Sequence, residues 1–454
     1  MSEASRFPLS SRCPQEIIVH AKGGPVRVGE LLGRASSLAA SLPNRPNVLN
    51  LCGNRHEFLL GFCAAVIAGQ CTLMPPNQQP GTLLKIAEDY EGCYVLGGGA
   101  VGTLDHFPIA EPRVASRLES APLVPDDQLC AILFTSGSTG DPQPNRKSWR
   151  TLRSGADTNA RLLLGARAEA INLLATVPPQ HMWGFESSIL LPLFAGVAVS
   201  ESSPVFPKDI YDALEALARP RALVSSPVHL TAFLDATVGR IDIDYIFTAT
   251  APMSTRTALG LEARHGARVV DIFGSSESGM LAVRQPAHDD IWTLADAFGL
   301  RVEGAHTYIV ADHLEDDVRL SDRVEILGEG RFRWIGRDED MINIAGKRGS
   351  LTDINGRLNE IRGVEDGVIF LPEPDATRLA ALVVAPSLQP SDILDQMRDR
   401  IDPVFLPRPV YIVASLPRQE TSKLPRQAVI DLYEEIRQQR RTTKCDESDT
   451  RQDD

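Results

Sequence analysis

The sequence lacks several features that would mark a membrane protein or a nucleic-acid-binding protein. Its longest apolar runs, at 59–69 and 189–199, have about half the length that a membrane span needs. Positive charge is in the minority, with 46 Lys and Arg against 59 Asp and Glu and a net charge of −13. This balance argues against general binding to nucleic acid or to anionic lipid, but it does not exclude small anionic ligands that local geometry can hold.

The cysteines also lack a pattern. There are 7, scattered along the chain without a Cys-x-x-Cys pair. Such a set argues against a disulfide framework or a zinc site and predicts buried thiols in a reducing compartment. The opening residues, MSEASRFPLSSR, contain no apolar segment of the kind found in a signal peptide. We therefore expect a soluble cytoplasmic protein.

Most of the chain alternates strand-like apolar runs with amphipathic, helix-like stretches. The strand-like runs are 47–51, 129–134, 171–176, 222–226, 245–249 and 268–273. The helix-like stretches include 28–42, 57–69, 210–218 and 256–266. This alternation predicts an α/β domain with largely buried strands. Ligands in such sheets bind beyond the carboxyl ends of the strands, where several of these runs lead into Gly-, Ser- and Thr-rich segments.

The pattern changes after about residue 335. Short strand-like and helix-like segments then alternate up to residue 441, which predicts a compact α+β unit of roughly a hundred residues. The last residues are polar and highly charged, and they predict a disordered tail. We therefore expect a large domain at 1–336, a small domain at 337–441 and a tail at 442–454.

The segment that follows the run 129–134 has the composition of an anion cradle. It contains Thr135, Ser136, Gly137, Ser138, Thr139 and Gly140. Glycines let the backbone approach a ligand closely, while hydroxyl and amide groups donate hydrogen bonds to phosphate oxygens. The segment is not a Walker loop, because no Gly-Lys-[Ser/Thr] follows it. On composition alone, a flexible surface loop is an equal alternative.

The string FTSGSTGDP at 134–142 resembles the phosphate-binding loop of the adenylate-forming superfamily. That superfamily contains acyl- and aryl-CoA synthetases, adenylation domains of peptide synthetases, and luciferases. Further motifs of the superfamily occur in the same order along almost the whole chain. The resemblance implies a large multi-layer α/β N-terminal domain, a small mobile α+β C-terminal domain, and a requirement for ATP and Mg²⁺.

Two motifs of the larger domain support the resemblance. PQHMWG at 179–184 is similar to a superfamily motif in which Pro is followed by an aromatic residue or His and then by Gly, which implies that His181 gates the carboxylate end of the substrate pocket. DIFGSSE at 271–277 is similar to the Tyr-Gly-x-Thr-Glu motif. It implies that Phe273 and Gly274 contact the adenine, that Ser276 contacts the α-phosphate and that Glu277 is catalytic as a Mg²⁺ ligand. Taken alone, His181 would be an ordinary loop histidine and Glu277 a helix N-terminal acid.

Two further motifs lie near the domain junction. Leu-Ser-Asp at 320–322 stands where the superfamily has Thr-Gly-Asp, which implies that Asp322 binds the ribose hydroxyls. WIGRDEDMIN at 334–343 resembles the domain junction, with Arg337 on ribose and phosphate and Glu339 as the hinge. Taken alone, Asp322 would be an ordinary turn residue.

The last two motifs resemble segments that serve the transfer to a thiol and the adenylation step. Gly346-Lys347-Arg348 resembles a Gly-x-Arg segment, which implies that Gly346 and Arg348 help to form the thiol-acceptor surface. The segment 416–426 resembles the C-terminal motif whose lysine enters the main site during adenylation, which makes Lys423 the catalytic lysine. A solvated charged turn and a plain surface lysine are the alternatives.

The chain departs from the superfamily pattern at three positions. The lysine that usually ends the phosphate loop is Gln143 here, and Arg146 or Lys147 is a candidate replacement. The hinge residue is Glu339 rather than Asp, and Ser422 replaces the glycine before the catalytic lysine. None of these changes removes a group that the chemistry requires.

The substrate pocket is expected among residues of mixed polarity, namely His181, Trp183, Thr250, Ala251 and Ser275. This mixture suits an aryl or medium-chain acyl acid better than an amino acid, because no carboxylate is identified to pair with an ammonium group. The divergent loop and compact length resemble the standalone ligases of aryl-polyene and related pigment pathways. Those ligases activate hydroxybenzoate-type acids.

No carrier domain follows the candidate lysine, so the acceptor thiol is expected to be separate: coenzyme A, or phosphopantetheine on an acyl carrier protein. Two alternatives remain open at this point. One is a fatty acyl-CoA synthetase. The other is a catalytically inactive nucleotide- or acyl-binding regulator, which the substitutions Gln143 and Ser422 suggest. Neither nucleic acid nor a membrane is expected as a partner.

Overall fold

The chain is divided between two units in the computed structural model. The first comprises Met1–Arg319 and Leu327–Phe332, and the second comprises Leu320–Ile326 and Arg333–Asp454. The structure describes residues 5–109, 116–136, 142–165, 170–304, 306–337, 341–344, 347–373, 376, 378–398, 400–418 and 424–449. Within those ranges it leaves out the side chains at 136, 142, 337, 341, 343, 348 and 440–449.

The first unit contains most of the strands. In chain order they are β1 (Arg6–Pro8), β2 (Ile17–Ala21), β3 (Gly24–Arg27), β4 (Asn47–Asn50), β5 (Cys71–Met74), β6 (Tyr94–Leu96), β7 (His106–Phe107), β8 (Leu123–Pro125), β9 (Leu129–Ser136), β10 (Pro142–Ser148), β11 (Ile171–Ala175), β12 (Val197–Ser200), β13 (Arg221–Ser225), β14 (Tyr245–Thr248), β15 (Arg268–Ser275), β16 (Gly279–Arg284), β17 (Ile291–Leu294), β18 (Gly299–Glu303), β19 (His306–Val310) and β20 (Val318–Arg319).

Nine α-helices lie among these strands in the described part of the first unit. They are α1 (Val28–Ala39), α2 (Arg55–Ile67), α3 (Pro80–Asp89), α4 (Trp149–Leu164), α5 (Met182–Phe185), α6 (Leu191–Phe194), α7 (Pro207–Glu215), α8 (Pro227–Asp235) and α9 (Thr255–His265). A π-helical turn, Glu186–Leu190, joins α5 to α6. Every helix in the described ranges, in both units, is too short or too polar to span a bilayer.

Two mixed sheets organise the first unit. The smaller has the order β10-β9-β5-β4-β6-β7, and β10 is its antiparallel edge strand. In the larger sheet the strands β17-β16-β15-β14-β13-β11-β12-β2-β3 are neighbours in that order, with β11 to β15 parallel. Helix α2 is buried along nearly its whole surface, as an apolar helix in a core should be. The predicted α/β class is therefore confirmed.

The order of the parallel strands determines where a site can form. Strands β11, β13, β14 and β15 are successive neighbours, so their carboxyl ends meet at one edge of the larger sheet. The segments that continue from these ends begin at Thr176, Ser226, Ala249 and Ser276. These are the polar segments in which the sequence predicts ligand binding.

The second unit is an α+β assembly of short elements. It contains β21 (Asp322–Gly328) and β22 (Arg331–Arg337), whose connecting ends belong to the first unit, then β23 (Met341–Ile344), β24 (Lys347–Ser350), α10 (Leu351–Asn359), β25 (Asp366–Phe370), β26 (Ala380–Val384), α11 (Pro390–Arg398), a 3₁₀ turn (Pro403–Phe405), β27 (Val410–Ile412) and α12 (Arg426–Asp449). Strand β26 is central in a three-stranded sheet. Its alternate residues pack on α10 and α11 on one face and on α12 on the other.

Helix α12 continues to Asp449, beyond residue 442, where the charged tail is expected to begin. The segment from that residue has no Gly or Pro to end a helix. One expectation differs from the structure. Cys13 is exposed, whereas the cysteines were predicted to be buried; it lies in the connection before β2. Cys52, Cys63, Cys71, Cys93 and Cys130 are buried free thiols.

Candidate functional site

The candidate site begins where β11 and β13 end side by side. The backbone N–H of Thr176 donates to the carbonyl of Val224 at 2.9 Å, and the Thr176 and Ser225 hydroxyls lie 2.8 Å apart. These bonds fix the direction in which the chain leaves β11 towards His181. The wall of the site on this side is therefore set by the sheet itself.

His181 stands at the start of α5 as its N-cap residue. Its Nδ1 accepts a hydrogen bond from the backbone N–H of Trp183 at 3.3 Å, which leaves Nε2 to carry the ring proton, and the side chain is exposed. Gly184 is required here because a Cβ at this position would lie 2.0 Å from the carbonyl oxygen of Pro178. The turn thus fixes the histidine at the sheet edge.

Trp183 projects into the interior from the same helix. Its side chain is buried, and its Nε1 finds no hydrogen-bond partner among the described residues. A buried indole N–H normally has an acceptor, so an unpaired one is a polar group available to a ligand. This unpaired donor supports the expectation that Trp183 lines the substrate pocket.

The end of β15 and its turn to β16 carry three of the expected nucleotide-binding residues, Phe273, Gly274 and Ser276. Phe273 packs against the rings of Trp292 and Phe332, with centroids 5.3 and 5.5 Å away. Gly274 follows at a register shift in the β15–β16 ladder, and a Cβ there would lie 2.3 Å from the carbonyl oxygen of Gly279. The glycine is therefore dictated by close backbone approach.

Beyond Gly274 the turn is closed by serine side chains. The Ser275 hydroxyl accepts from the backbone N–H of Ser278 at 3.2 Å and lies 3.1 Å from the Ser278 hydroxyl. Ser276 is half-buried, and Glu277 is exposed at the tip of the turn. The turn thus presents one hydroxyl and one carboxylate next to an aromatic ring.

The segment after β14 supplies the opposite side of the edge. Thr250 has a φ of 81°, a conformation that β-branched residues rarely adopt, and it is exposed together with Ala251. The segment is anchored below by Asp271, which accepts from the backbone N–H of Met253 at 3.2 Å and from Arg284 at 2.8 Å. Burial raises the pKa of Asp271, and the charge of Arg284 opposes that effect.

A buried charged cluster, which sequence reasoning missed, lies behind the turn. Lys147, on β10, is 3% exposed, and its Nζ donates to the backbone carbonyl of Glu277 at 2.6 Å. Burial lowers the pKa of Lys147, and the carboxylates of Glu186, Glu277 and Glu315 oppose this. In the sequence, Lys147 stands among polar residues and is a candidate phosphate ligand.

The two candidate replacements for the missing loop lysine point in different directions. The ammonium of Lys147 is buried and occupied by the Glu277 carbonyl. Arg146 is exposed; burial raises the pKa of Tyr90 and of Cys71, and the charge of Arg146 opposes that effect. The structure therefore ties Lys147 to the turn that carries Glu277 rather than leaving it free for a phosphate.

The remaining expected residues fall outside this assembly or outside the described residues. Thr135 is half-buried on β9, and the backbone of Ser136 ends that strand. Asp322 belongs to the second unit, where its carboxylate accepts from the indole N–H of Trp334 at 2.8 Å. The side chains of Arg337 and Arg348 and all of Gly137, Ser138, Thr139, Gly140, Glu339, Gly346 and Lys423 lie outside the described residues.

The turn offers few donors for a Mg²⁺ ion. Glu277 supplies one exposed hard carboxylate beside the half-buried Ser276. Mg²⁺ commonly binds through one or two carboxylates and takes its remaining ligands from water and substrate phosphates. Among the described residues, no group of three or more His, Cys, Asp or Glu is placed to hold a metal ion. The turn fits an ion that arrives with a nucleotide.

Comparison with known proteins gives the class of this chain. Residues 11–329, more than two thirds of the chain, match the family described as AMP-binding enzyme. The chain is similar to 4-coumarate–CoA ligase of Cereibacter sphaeroides, with 27% identity over 266 residues, covering 58% of this chain and 61% of that relative. It is also similar to 3,4-dihydroxybenzoate–[aryl-carrier protein] ligase of Bacillus anthracis, with 19% identity, covering 65% of this chain and 72% of that relative.

The fold comparison agrees. ATP-bound MatB from Rhodopseudomonas palustris superposes with a TM-score of 0.80 at 18% identity, covering 93% of this chain and 97% of that one. The chain belongs to the AMP-binding enzyme family and has the adenylate-forming fold. An AMP-forming acid–thiol ligase is the class of enzyme that this membership supports.

Proposed function

We propose that the protein uses ATP to activate a carboxylic acid as an acyl-adenylate, releasing pyrophosphate, and then transfers the acyl group to a phosphopantetheine thiol. The observation that carries this proposal is the convergence of the strand ends. The order of β11, β13, β14 and β15 brings His181, Thr250, Phe273 and Glu277 to one sheet edge. An acid-facing histidine, an aromatic face and a hard carboxylate then share one site.

The chemistry requires these groups because a carboxylate is a poor acyl donor. One carboxylate oxygen attacks the α-phosphorus of ATP, and the bond from that phosphorus to the pyrophosphate oxygen breaks. Charge that builds up on the phosphate oxygens must be offset by preorganised donors. In our proposal Ser276 donates to the α-phosphate, Phe273 stacks on the adenine, and Glu277 holds Mg²⁺. The ion, when bound, neutralises charge on the phosphates.

We assign roles to residues of the second unit because their motifs resemble those of the superfamily. Asp322 and Arg337 bind the ribose, and Lys423 brings a cation to the α-phosphate in the first step. The small domain then turns about Glu339 and presents another surface to the incoming thiol. Such domain rotation is an ordinary way to assemble two successive active sites.

The thiol-binding surface in this proposal includes Gly346 and Arg348. The acceptor is coenzyme A or a carrier protein, since the relatives named above use one or the other. An enzyme that depends on ATP and such thiols is proposed to work in the cytoplasm. The loop at Thr135–Gly140, in the same proposal, holds the outer phosphates.

An aryl acid such as a hydroxybenzoate is the favoured substrate. Two relatives act, by their names, on aromatic acids. In this chain, the indole N–H of Trp183, which has no partner among the described residues, and the exposed Thr250 offer polar contacts beside the apolar surface of the Trp183 ring. An aromatic acid with a ring hydroxyl matches that mixture, because the hydroxyl oxygen can accept a hydrogen bond while the ring packs against apolar groups.

The test is ATP–pyrophosphate exchange measured across a panel of hydroxybenzoates, cinnamates and linear alkanoates. We expect exchange with one or more aryl acids, followed by thioester formation when coenzyme A or a phosphopantetheinylated carrier protein is added. Exchange with alkanoates only would instead indicate a fatty acyl-CoA synthetase. No exchange with any acid, with ATP still bound, would indicate an inactive nucleotide-binding regulator.

A further inference from the structure

The buried cluster behind the metal-binding turn contains a charge that packing does not explain. Lys147 is only 3% exposed. The negative charge of Glu186, which is itself 5% exposed, favours the protonated form of Lys147, but the two side chains form no contact ion pair. Moving a charge out of water is costly, and an apolar side chain of similar length would fill the same space at lower cost. The ammonium is therefore retained for what it binds.

What Lys147 binds is the backbone of the expected metal ligand. Its Nζ donates to the Glu277 carbonyl at 2.6 Å, a charge-assisted hydrogen bond in a dry environment. The carboxylate of Glu277 is carried on the same residue and remains exposed. Holding the carbonyl from behind fixes the peptide plane, and with it the direction in which the carboxylate leaves the turn.

Glu186 holds the same turn from its other end. It lies at the first position of the π-helical turn Glu186–Leu190, a feature often found at functional sites. Its Oε1 accepts from the backbone N–H of Met280 at 3.2 Å and from the Asn159 amide at 3.1 Å. A Cβ on Gly279, which has a φ of 74°, would lie 2.7 Å from this oxygen, so the glycine lets the carboxylate approach.

The turn between β15 and β16 is therefore clamped at three points. Ser275 closes it internally, Lys147 holds the Glu277 carbonyl and Glu186 holds the Met280 amide. Lys147 stands on β10, the strand that leaves the candidate phosphate loop, and Glu186 stands on the helix that follows His181. The clamp therefore connects the strand after the candidate phosphate loop, the turn that carries Glu277 and the helix that follows His181.

We propose that Lys147 and Glu186 are positioning residues that fix the Glu277 turn for Mg²⁺–ATP without touching the nucleotide themselves. Lys147 supplies the hydrogen bond, and Glu186 supplies both a second hydrogen bond and the charge that balances Lys147. This inference rests on the proposed function for the role of Glu277. A solely structural pair would stabilise the fold but would leave the response to Mg²⁺ unchanged.

Three variants separate these roles. Lys147→Met removes the donor but keeps the length of the side chain. Glu186→Gln keeps an oxygen for the Met280 and Asn159 hydrogen bonds and removes the charge. The double variant removes both charges, so its thermal stability should recover relative to Lys147→Met alone, because no uncompensated buried charge remains.

The control variant is Arg12→Met. Arg12 is also a buried cation, with a side chain 3% exposed, and it donates to the backbone carbonyls of Pro192 and Val197, at 3.0 and 2.6 Å. It lies outside the proposed site and serves no proposed ligand. Its loss should lower the melting temperature while leaving the Mg²⁺ response unchanged.

The primary readout is the dissociation constant of ATP measured by calorimetry with Mg²⁺ and with EDTA. We expect the gain in affinity that Mg²⁺ gives the wild type to fall by about 10- to 100-fold in the double variant, as losses of groups that orient a metal ligand commonly do. The apparent Mg²⁺ affinity in pyrophosphate exchange should weaken in parallel. Thioester formation from supplied acyl-adenylate, which uses neither ATP nor its Mg²⁺, should stay within about twofold of wild type.

Each other result has a defined meaning. A double variant with wild-type Mg²⁺ dependence would overturn the inference, and so would an equal loss in Arg12→Met or a loss of thioester formation from supplied adenylate. A wild type that gains no ATP affinity from Mg²⁺ would also overturn it. If the wild type exchanges pyrophosphate with no acid but its Mg²⁺–ATP affinity still depends on Lys147, the proposed function fails while the positioning role stands.

Discussion

Replacing Thr250 with glycine is expected to stabilise the protein while weakening its selection of the acid. Thr250 has a φ of 81°, where the branched side chain is strained, and it is exposed at the sheet edge. Because strained residues cluster at functional sites, we infer that the Thr250 side chain is needed for binding the acid. Glycine adopts this conformation without the steric cost.

The magnitude follows from two opposing effects. A residue held in such a conformation costs roughly 1–3 kcal/mol. Glycine also raises the conformational entropy of the unfolded chain, which offsets roughly 0.5–1 kcal/mol of the stability gained by relieving the strain. The net change is a stabilisation of about 1 kcal/mol, with an upper bound of about 2.5 kcal/mol, which corresponds to a few degrees in the melting temperature of a large domain.

The assay is thermal and urea-induced unfolding of Thr250→Gly, with two matched variants. Ala251→Gly is the control, because Ala251 is equally exposed and has no positive φ; it should be less stable than wild type by about 0.5–1 kcal/mol. Thr250→Ala keeps the strained backbone and removes the hydroxyl, so it should raise the KM for the acid. A Thr250→Gly protein less stable than wild type would refute the reasoning.

Three further predictions concern the site. Gly274→Ala should lower kcat/KM by at least about 100-fold and destabilise the fold, because its Cβ would lie 2.3 Å from the Gly279 carbonyl; wild-type kinetics would contradict the close approach. Phe273→Leu should raise the KM for ATP by about 10-fold through the loss of aromatic stacking, whereas an unchanged KM would remove Phe273 from the adenine site. Lys423→Ala should abolish pyrophosphate exchange but preserve thioester formation from supplied acyl-adenylate; intact exchange would show the lysine assignment to be wrong.

The strands with strong apolar runs could be predicted from the sequence because burial between layers leaves a visible pattern. β14 and β15 follow the runs at 245–249 and 268–273 closely. Strand β10 could not be predicted, because its sequence, PQPNRKS, is polar. It forms by antiparallel pairing with β9, an interaction that connects residues on both sides of the candidate phosphate loop.

The site was partly predictable for a related reason. The motifs locate Phe273, Glu277 and His181, and the order of the parallel strands explains why they share one edge. The role of Lys147 was not predictable, because the group that it binds is a backbone carbonyl, that of Glu277, which lies 130 residues further along the chain. The unusual φ of Thr250 likewise depends on tertiary context, since threonine has no intrinsic preference for that conformation.

Isotope transfer from the acid to the nucleotide tests the central claim most directly. The acid is supplied with oxygen-18 in its carboxylate, together with ATP, Mg²⁺ and the acceptor thiol, and the products are analysed by mass spectrometry. Attack on the α-phosphorus leaves one carboxylate oxygen on the phosphate when the thiol displaces AMP. We therefore expect one heavy oxygen in each AMP and none in pyrophosphate. Heavy oxygen in inorganic phosphate with ADP as the other product, or unlabelled AMP, would contradict it.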